Sequence, residues 1–202
     1  MHRVMRGIIS ALLVLSFCGA AGATTIAFDP LIAPNGTPYA GHTEKGFTVA
    51  PLTANWFVAQ LFGNPVPDIF AGPVGTPSLS TIEVTQNALL PFMFDSVDLA
   101  SNNDTSSRFR FAGFLGATLV FDVTGTVPSL LPFGFVTEGN PFAAALINRL
   151  EITMVPGDGV TSMNLDNIVV NAVPEPASLL LLGTGLLGIR RWRTRQLQTN
   201  RG

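Results

Sequence analysis

Polar and apolar residues alternate with a period of two through the middle of the chain. Thr81-Ile82-Glu83-Val84-Thr85, Arg108-Phe109-Arg110-Phe111, Leu119-Val120-Phe121-Asp122-Val123-Thr124 and Leu150-Glu151-Ile152-Thr153-Met154 all follow it. Such alternation puts the apolar side chains of a strand on one face. Turn formers separate the runs: Pro34-Asn35-Gly36, Gly63-Asn64-Pro65, Gly72-Pro73, Asn102-Asn103-Asp104 and Pro156-Gly157-Asp158-Gly159. Many short strands joined by Gly/Pro turns predict an all-β fold, an antiparallel sandwich or barrel. Helical periodicity is nearly absent. Phe142 to Asn148 is the one short helix candidate, and it reads equally well as a loop turn. No internal repeat is visible.

One run breaks the alternation. In Met163-Asn164-Leu165-Asp166-Asn167-Ile168-Val169-Val170, Met163 and Leu165 share one parity while Ile168 and Val170 share the other. A regular strand cannot bury both pairs on one side, so a bulge is expected near Asp166-Asn167. Asp and Asn tolerate the backbone angles of such a kink.

The two ends of the chain follow a different pattern. Arg3 and Arg6 precede an apolar stretch from Gly7 to Phe17, and Ala21-Gly22-Ala23 supplies small residues for cleavage. That is the layout of a secretory signal peptide over residues 1–23, cut after Ala23 by signal peptidase. Cys18, the one cysteine, follows bulky Phe17 and is lost with that peptide, so the mature chain has neither disulfide nor thiolate chemistry. At the other end, Pro174-Glu175-Pro176 is followed by an apolar run, Ala177 to Ile189, and then by Arg190, Arg191, Arg193 and Arg195. Thirteen helical residues would span about 20 Å, short against a hydrocarbon core of about 30 Å. Trp192 at the interface and snorkelling arginines extend the span, which predicts a transmembrane helix over 177–189 with a stop-transfer cluster behind it.

The order of triplet, apolar run and basic cluster resembles the C-terminal sorting signal of the PEP-CTERM family of exported bacterial proteins. The matching residues are Val173-Pro174-Glu175-Pro176-Ala177-Ser178, the Leu/Gly run at 179–188 and the four arginines. The resemblance implies an exosortase partner in the inner membrane that recognises the triplet, cuts near it and releases the protein to the cell surface or exopolysaccharide matrix. The alternative left open by the residues is a tail-anchored surface protein that is never processed. A second resemblance covers residues 80–172. Leu165-Asp166-Asn167-Ile168-Val169-Val170, with Phe94-Asp95-Ser96-Val97-Asp98-Leu99 and Phe111-Ala112-Gly113-Phe114, is similar to the jelly-roll domains of PEP-CTERM proteins. Those domains are in turn similar to galactose-binding-like carbohydrate modules. This resemblance implies a jelly-roll β-sandwich. The expected organisation is therefore a signal peptide at 1–23, a β-sandwich at 24–172 and a sorting signal at 173–202.

With both ends removed, the composition changes character. Residues 24–173 carry four basic side chains, Lys45, Arg108, Arg110 and Arg149, against twelve Asp and Glu. So acidic a body argues against nucleic acid or anionic lipid as its partner. A body of this size, about 150 residues, is enough for one domain with a packed core.

Catalytic patterns are sparse. His2 falls in the signal peptide, and His42 stands alone in a Gly/Pro-rich segment, read as a solvated loop. One histidine without cysteine makes neither a His/Cys metal cluster nor a Cys-His pair. Paired carboxylates are the remaining acid/base option, as in a secreted hydrolase, and would have to sit about 5–10 Å apart across a cleft. Asp95 and Asp98 do not qualify, because odd spacing puts them on opposite faces of a strand. A non-enzymatic body is expected, with no cofactor beyond a candidate Ca²⁺ held by turn carboxylates, Asp158 and Asp166. Tyr39, beside Pro38, is the candidate carbohydrate platform, whereas Trp56 in Trp56-Phe57-Val58 is read as core.

Overall fold

The structure, a computed structural model, describes residues 22–72, 79–102, 106–128, 134–157 and 159–173. Within them, Gly22–Val173 forms one unit built from twelve strands. These are β1 (Ala23–Ile26), β2 (His42–Glu44), β3 (Phe47–Pro51), β4 (Trp56–Ala59), β5 (Asp68–Ala71), β6 (Ser80–Gln86), β7 (Phe92–Ser101), β8 (Ser107–Leu115), β9 (Thr118–Val127), β10 (Val136–Gly139), β11 (Arg149–Val155) and β12 (Met163–Ala172). Every described ladder is antiparallel. One sheet runs β10-β7-β12-β5-β4 with β1 also on β12, and the other runs β2-β3-β6-β11-β8-β9. Packed face to face, they form an antiparallel jelly-roll β-sandwich.

The alternating runs become β6, β8, β9 and β11, and their apolar parity turns inward. Ile82, Val84, Phe111, Leu150, Ile152 and Met154 are all buried. From the first sheet, Phe92, Phe94, Leu99, Leu165, Ile168 and Val170 meet them. Edge-to-face ring contacts tie the sheets together, Phe94 on Phe111 at 5.1 Å and Phe47 on Phe92 at 5.4 Å. Trp56 is in the core as expected, its indole N–H donating to Thr81 O at 3.1 Å. Two glycines between β8 and β9 are required by packing. A Cβ on Gly125 would lie 2.2 Å from the Phe109 ring, and one on Gly113 would lie 2.3 Å from Phe121. Each ring lies over its cross-strand glycine partner.

The expected bulge is present. The β12–β7 register shifts between Asp166 and Val169, and Asn167 takes φ 47°. The kink also lets β12 change neighbours on its other side, pairing Met163–Leu165 with β5 and Ile168–Asn171 with β1. Thus both halves of β12 bury their apolar side chains in one core. The Phe142–Asn148 segment is turn and not helix; within it Ile147 bridges to Phe92.

Candidate functional site

On the outer face of the second sheet, the polar positions of the alternating strands line up in register. Thr81, Thr153, Arg110 and Thr124 form one row across β6, β11, β8 and β9. Val155, Arg108 and Thr126 form the row below, and Glu83, Glu151, Ala112 and Asp122 the row above. The two lower rows, with Glu151, Leu79, Phe109 and Gly125, line an open groove of about 700 Å³. Its side chains are mainly hydroxyl and guanidinium donors on rigid strands. Thr81 and Thr153 share a hydroxyl hydrogen bond of 3.0 Å.

Charge on this face is arranged in pairs. Arg110 holds Asp122 in a two-pronged contact, Nε to Oδ1 at 2.7 Å and Nη2 to Oδ2 at 2.9 Å. That contact holds the Asp122 carboxyl below its ordinary range and raises the Arg110 guanidinium. Arg149 lies over the Phe114 ring at 3.9 Å and pairs with Glu151 and, at 3.8 Å, with Glu83. The Arg108 side chain makes no ion pair or hydrogen bond among the described residues and is exposed. Three of the body's four basic side chains therefore project from this one face of an acidic domain. On this face Glu83 lies opposite Glu151, and Arg149 bridges the two carboxylates.

The outer face of the first sheet holds a second polar cluster, and it is covered. Asp166 is the direct partner of Asp98, and Asp98 is the partner of Thr137. Asp68 stands one residue beyond the last β5–β12 pair, Ile69–Leu165, on the parity of Asp166. Asn64, from the β4–β5 connection, donates its backbone N–H to Asp166 Oδ2 at 2.7 Å and its amide to Asp98 Oδ2 at 3.2 Å. Asn167 donates to Asp98 Oδ2 at 3.0 Å, to Asn64 O and, through its backbone, to Asp166 Oδ1 at 2.7 Å. Thr137 donates to Asp98 Oδ1 at 2.5 Å, and Asn164 to Asp68 Oδ2 at 2.9 Å. Asp68 Oδ1 is buried without a partner. Burial pushes Asp68 up to about 9 against the opposing Asn164 bond, with Asp166 adding repulsion. Burial likewise pushes Asp166 up to about 6, against the bonds from Asn64 and Asn167. No cluster of three or more His, Cys, Asp or Glu with metal-holding geometry occurs among the described residues.

Tyr39 is a correction to the sequence reading. It is 5% exposed and cannot serve as a stacking platform. Its hydroxyl lies 2.9 Å from Val49 O and 2.8 Å from His42 Nδ1, and its ring packs edge-on to Phe28. His42 is likewise not a solvated loop residue: it begins β2, packs on Phe28 and faces Glu44 at 3.4 Å. Burial lowers the His42 pKa, and the Glu44 contact opposes that shift. Burial would raise Glu44, but Lys45, the Ala27 N–H and His42 outweigh it and hold the carboxyl low. This chain of contacts clamps β1 to the second sheet, since Glu44 accepts from Ala27 N at 3.2 Å and Lys45 donates to Thr25 O at 2.7 Å. Its role is structural.

Of the other candidates, Asp166 is buried in the covered cluster. Asp158, Ala21, Pro174, Glu175, Pro176, the 177–189 segment, Arg190, Arg191, Arg193 and Arg195 lie outside the described residues, and Ala23 opens β1. No described helix is long and apolar enough to cross a membrane. The groove went unrecognised because its residues served in the sequence only as the polar half of strand patterns. The available signal was the outward arginine of Arg108-x-Arg110 alongside the threonines of neighbouring strands.

Among solved structures, the chain is similar to CBM29_1, a family 29 carbohydrate binding module from Piromyces equi, at 12% identity over 77% of this chain and 93% of that one, with a TM-score of 0.45. It is also similar to a CBM29-2 mutant complexed with mannohexaose, at 14% identity over 76% and 93% of the two chains, TM-score 0.43. A third is the CBM22-1–GH10 portion of xylanase 10B from Clostridium thermocellum, complexed with xylohexaose, at 10% identity over 68% and 28%, TM-score 0.41. No curated protein matches the chain. Residues 172–196 match the PEP-CTERM protein-sorting motif, so the chain carries the signal of an exported protein sorted to the cell envelope.

Proposed function

We propose that the chain is a non-catalytic, carbohydrate-binding or matrix module. On this reading, the tail holds it transiently in the inner membrane, an exosortase cuts at Pro174-Glu175-Pro176, and the β-sandwich passes to the cell surface or exopolysaccharide matrix. Signal peptidase makes the other cut, after Ala23. The observation that carries the binding role is the groove, where in-register Thr81, Thr153, Arg110 and Thr124 sit beside unpaired Arg108 on an open sheet face. Pockets with a few convergent polar groups on rigid elements are the usual places for ligands. A polysaccharide offers what these groups bond: rows of hydroxyls, and in acidic polymers carboxylates for the guanidinium.

The test is depletion of the mature protein by purified exopolysaccharide from the producing cells. Saturable binding that is lost in Arg108→Ala/Arg110→Ala, with the melting curve retained, supports the binding module. Undiminished binding by that variant removes the groove from the account. No saturable binding leaves a purely structural matrix protein.

A further inference from the structure

Both ends of the sandwich domain emerge at the same place. In the β1–β12 ladder Ala23 is the partner of Asn171, and Ala172 is the partner of Phe92. Phe92 and Ile147 exchange two backbone hydrogen bonds, of 2.7 and 2.9 Å, and Asn148 N–H donates to Phe114 O at 2.8 Å. The turn at 140–148 and the β8–β9 hairpin therefore lie at the end from which both chain termini leave. The short 3-10 segment Asn87–Leu89, which leads into β7, lies there too.

That end is apolar. Leu89, Leu115, Leu119, Val120, Phe142 and Leu146 are each more than two-fifths exposed. They are six of the eleven exposed large hydrophobic side chains among the described residues, gathered on three neighbouring turns. Phe142 lies parallel to the Phe121 ring at 6.1 Å. A concentration of exposed apolar side chains at one end of a domain marks an interaction site.

The chain beyond the domain indicates what covers it. Only four residues, 173–176, separate the end of β12 from the apolar run at Ala177, a reach of about 14 Å at full extension. On the other side, the apolar stretch ending at Phe17 leads by a short segment to Ala23. Two membrane-directed segments thus attach at the apolar end. The groove is at the opposite end of the second sheet, toward Ser80, Val155 and Ser107.

We propose that, while the chain is anchored, this apolar end rests in the headgroup–acyl interface of the bilayer, with a lipid surface as its occupant. The proposal rests on the reading of residues 173–202 as a membrane-directed sorting signal. The contact directs the groove, at the other end of the second sheet, away from the bilayer. Burial of several Leu, Val and Phe side chains at the interface is favourable in proportion to their apolar area.

The test uses the chain from Thr24 to Gly202, which has no cysteine of its own, reconstituted in phosphatidylcholine vesicles. Single cysteines at Leu119→Cys, Phe142→Cys and, at the far end, Leu52→Cys carry an environment-sensitive fluorophore. The expected result is flotation of all three, with a blue-shifted emission lost to nitroxide-bearing lipid at 119 and 142 and an unshifted, unquenched emission at 52. Flotation with 119 and 142 as unquenched as 52 overturns the interfacial contact and leaves the anchor standing. A blue shift at 119 and 142 that lipid quenchers do not reach identifies a second copy as the occupant and also overturns it. Failure of the chain to float overturns the anchor reading and the contact together.

Discussion

Asp166 lies directly opposite Asp98 in the β12–β7 ladder, and Asp68 flanks Asp166 on the other side. Like charges side by side on a sheet are destabilising, and none of the three forms a salt bridge among the described residues. The row is tolerated because Asn64, Asn167, Thr137 and Asn164 supply donors, and because Asp68 keeps its proton at neutral pH. Asp68 and Asp166 have folded-state values pushed up to about 9 and about 6. For a carboxyl raised on folding, the native state binds the proton more tightly than the unfolded chain does. Stability is therefore greatest below the ordinary Asp range, near 4, and falls as pH rises. Both groups contribute to the fall up to about pH 6, and Asp68 alone from there to about 9. His42, lowered by burial, acts in the opposite sense below its ordinary value. The expected outcome is a melting temperature that declines from pH 6.5 to 9, and a much flatter slope in Asp68→Asn. An unchanged slope in that variant would exclude Asp68 as its source.

Gly125 gives a sharper packing prediction. The Phe109 ring occupies the place of a Cβ there, and Phe109 is itself stacked on Phe111 at 4.5 Å. A methyl group must displace a ring already held on its other side. Gly125→Ala should cost about 1–3 kcal/mol, the range for overpacking a core, read as a lower urea midpoint with unchanged slope. Gly116, whose Cβ position is open but whose φ is +61°, is the contrasting site. Gly116→Ala should cost only about 1 kcal/mol, from backbone strain alone.

Asn167 joins the bulge to the acidic row. Its φ of 47° falls in the left-handed region, and its amide bonds Asn64 O and Asp98 Oδ2. Asn167→Gly keeps the backbone conformation and loses the amide, whereas Asn167→Ala loses both. Both variants should unfold earlier, and Ala should be the worse by about 1 kcal/mol. Equal midpoints would mean that the side chain alone matters.

In the groove, Arg108 is unpaired while Arg110 is already bound to Asp122. If the groove takes an acidic polysaccharide, Arg108→Ala should weaken binding by roughly 10- to 100-fold and reduce its salt dependence, because a charge-assisted hydrogen bond contributes about 1.5–3 kcal/mol. Arg110→Ala should leave melting within about 1 kcal/mol of the parent, as expected for an ion pair about two-fifths exposed. Binding indifferent to salt and to Arg108 would point to a neutral polymer held through the threonines.

How far the sequence carried depended on whether a property was local. The β6, β8, β9 and β11 strands were legible because each has one wet face, so burial imposes alternation. The bulge was legible for the same reason, since Met163/Leu165 and Ile168/Val170 required opposite parities. The short strands β1 to β5 lack long alternating runs, and β4 and β5 are buried on nearly every residue. Tyr39 and His42 were misread because Gly and Pro neighbours signal a loop but not what packs over it. Here Phe28 and Glu44 do so. The acidic row and the groove depend on register between strands far apart in sequence, and register is not written in any one strand.

The tail supplies the last prediction. β12 is a central strand, ending at Ala172 two residues before Pro174. A cut at the triplet removes the apolar run and the arginines without removing a strand residue, so the released domain should keep the stability of the uncut one. Intact mass should show a chain from Thr24 to about Pro174 in the medium. Replacing Pro174, Glu175 and Pro176 with Ala should shift the protein to the membrane fraction at full tail length, with its melting curve unchanged. A membrane-bound chain carrying residues 177–202 in the parent itself would make this a tail-anchored surface protein. Any polysaccharide binding would then serve to hold matrix to the membrane.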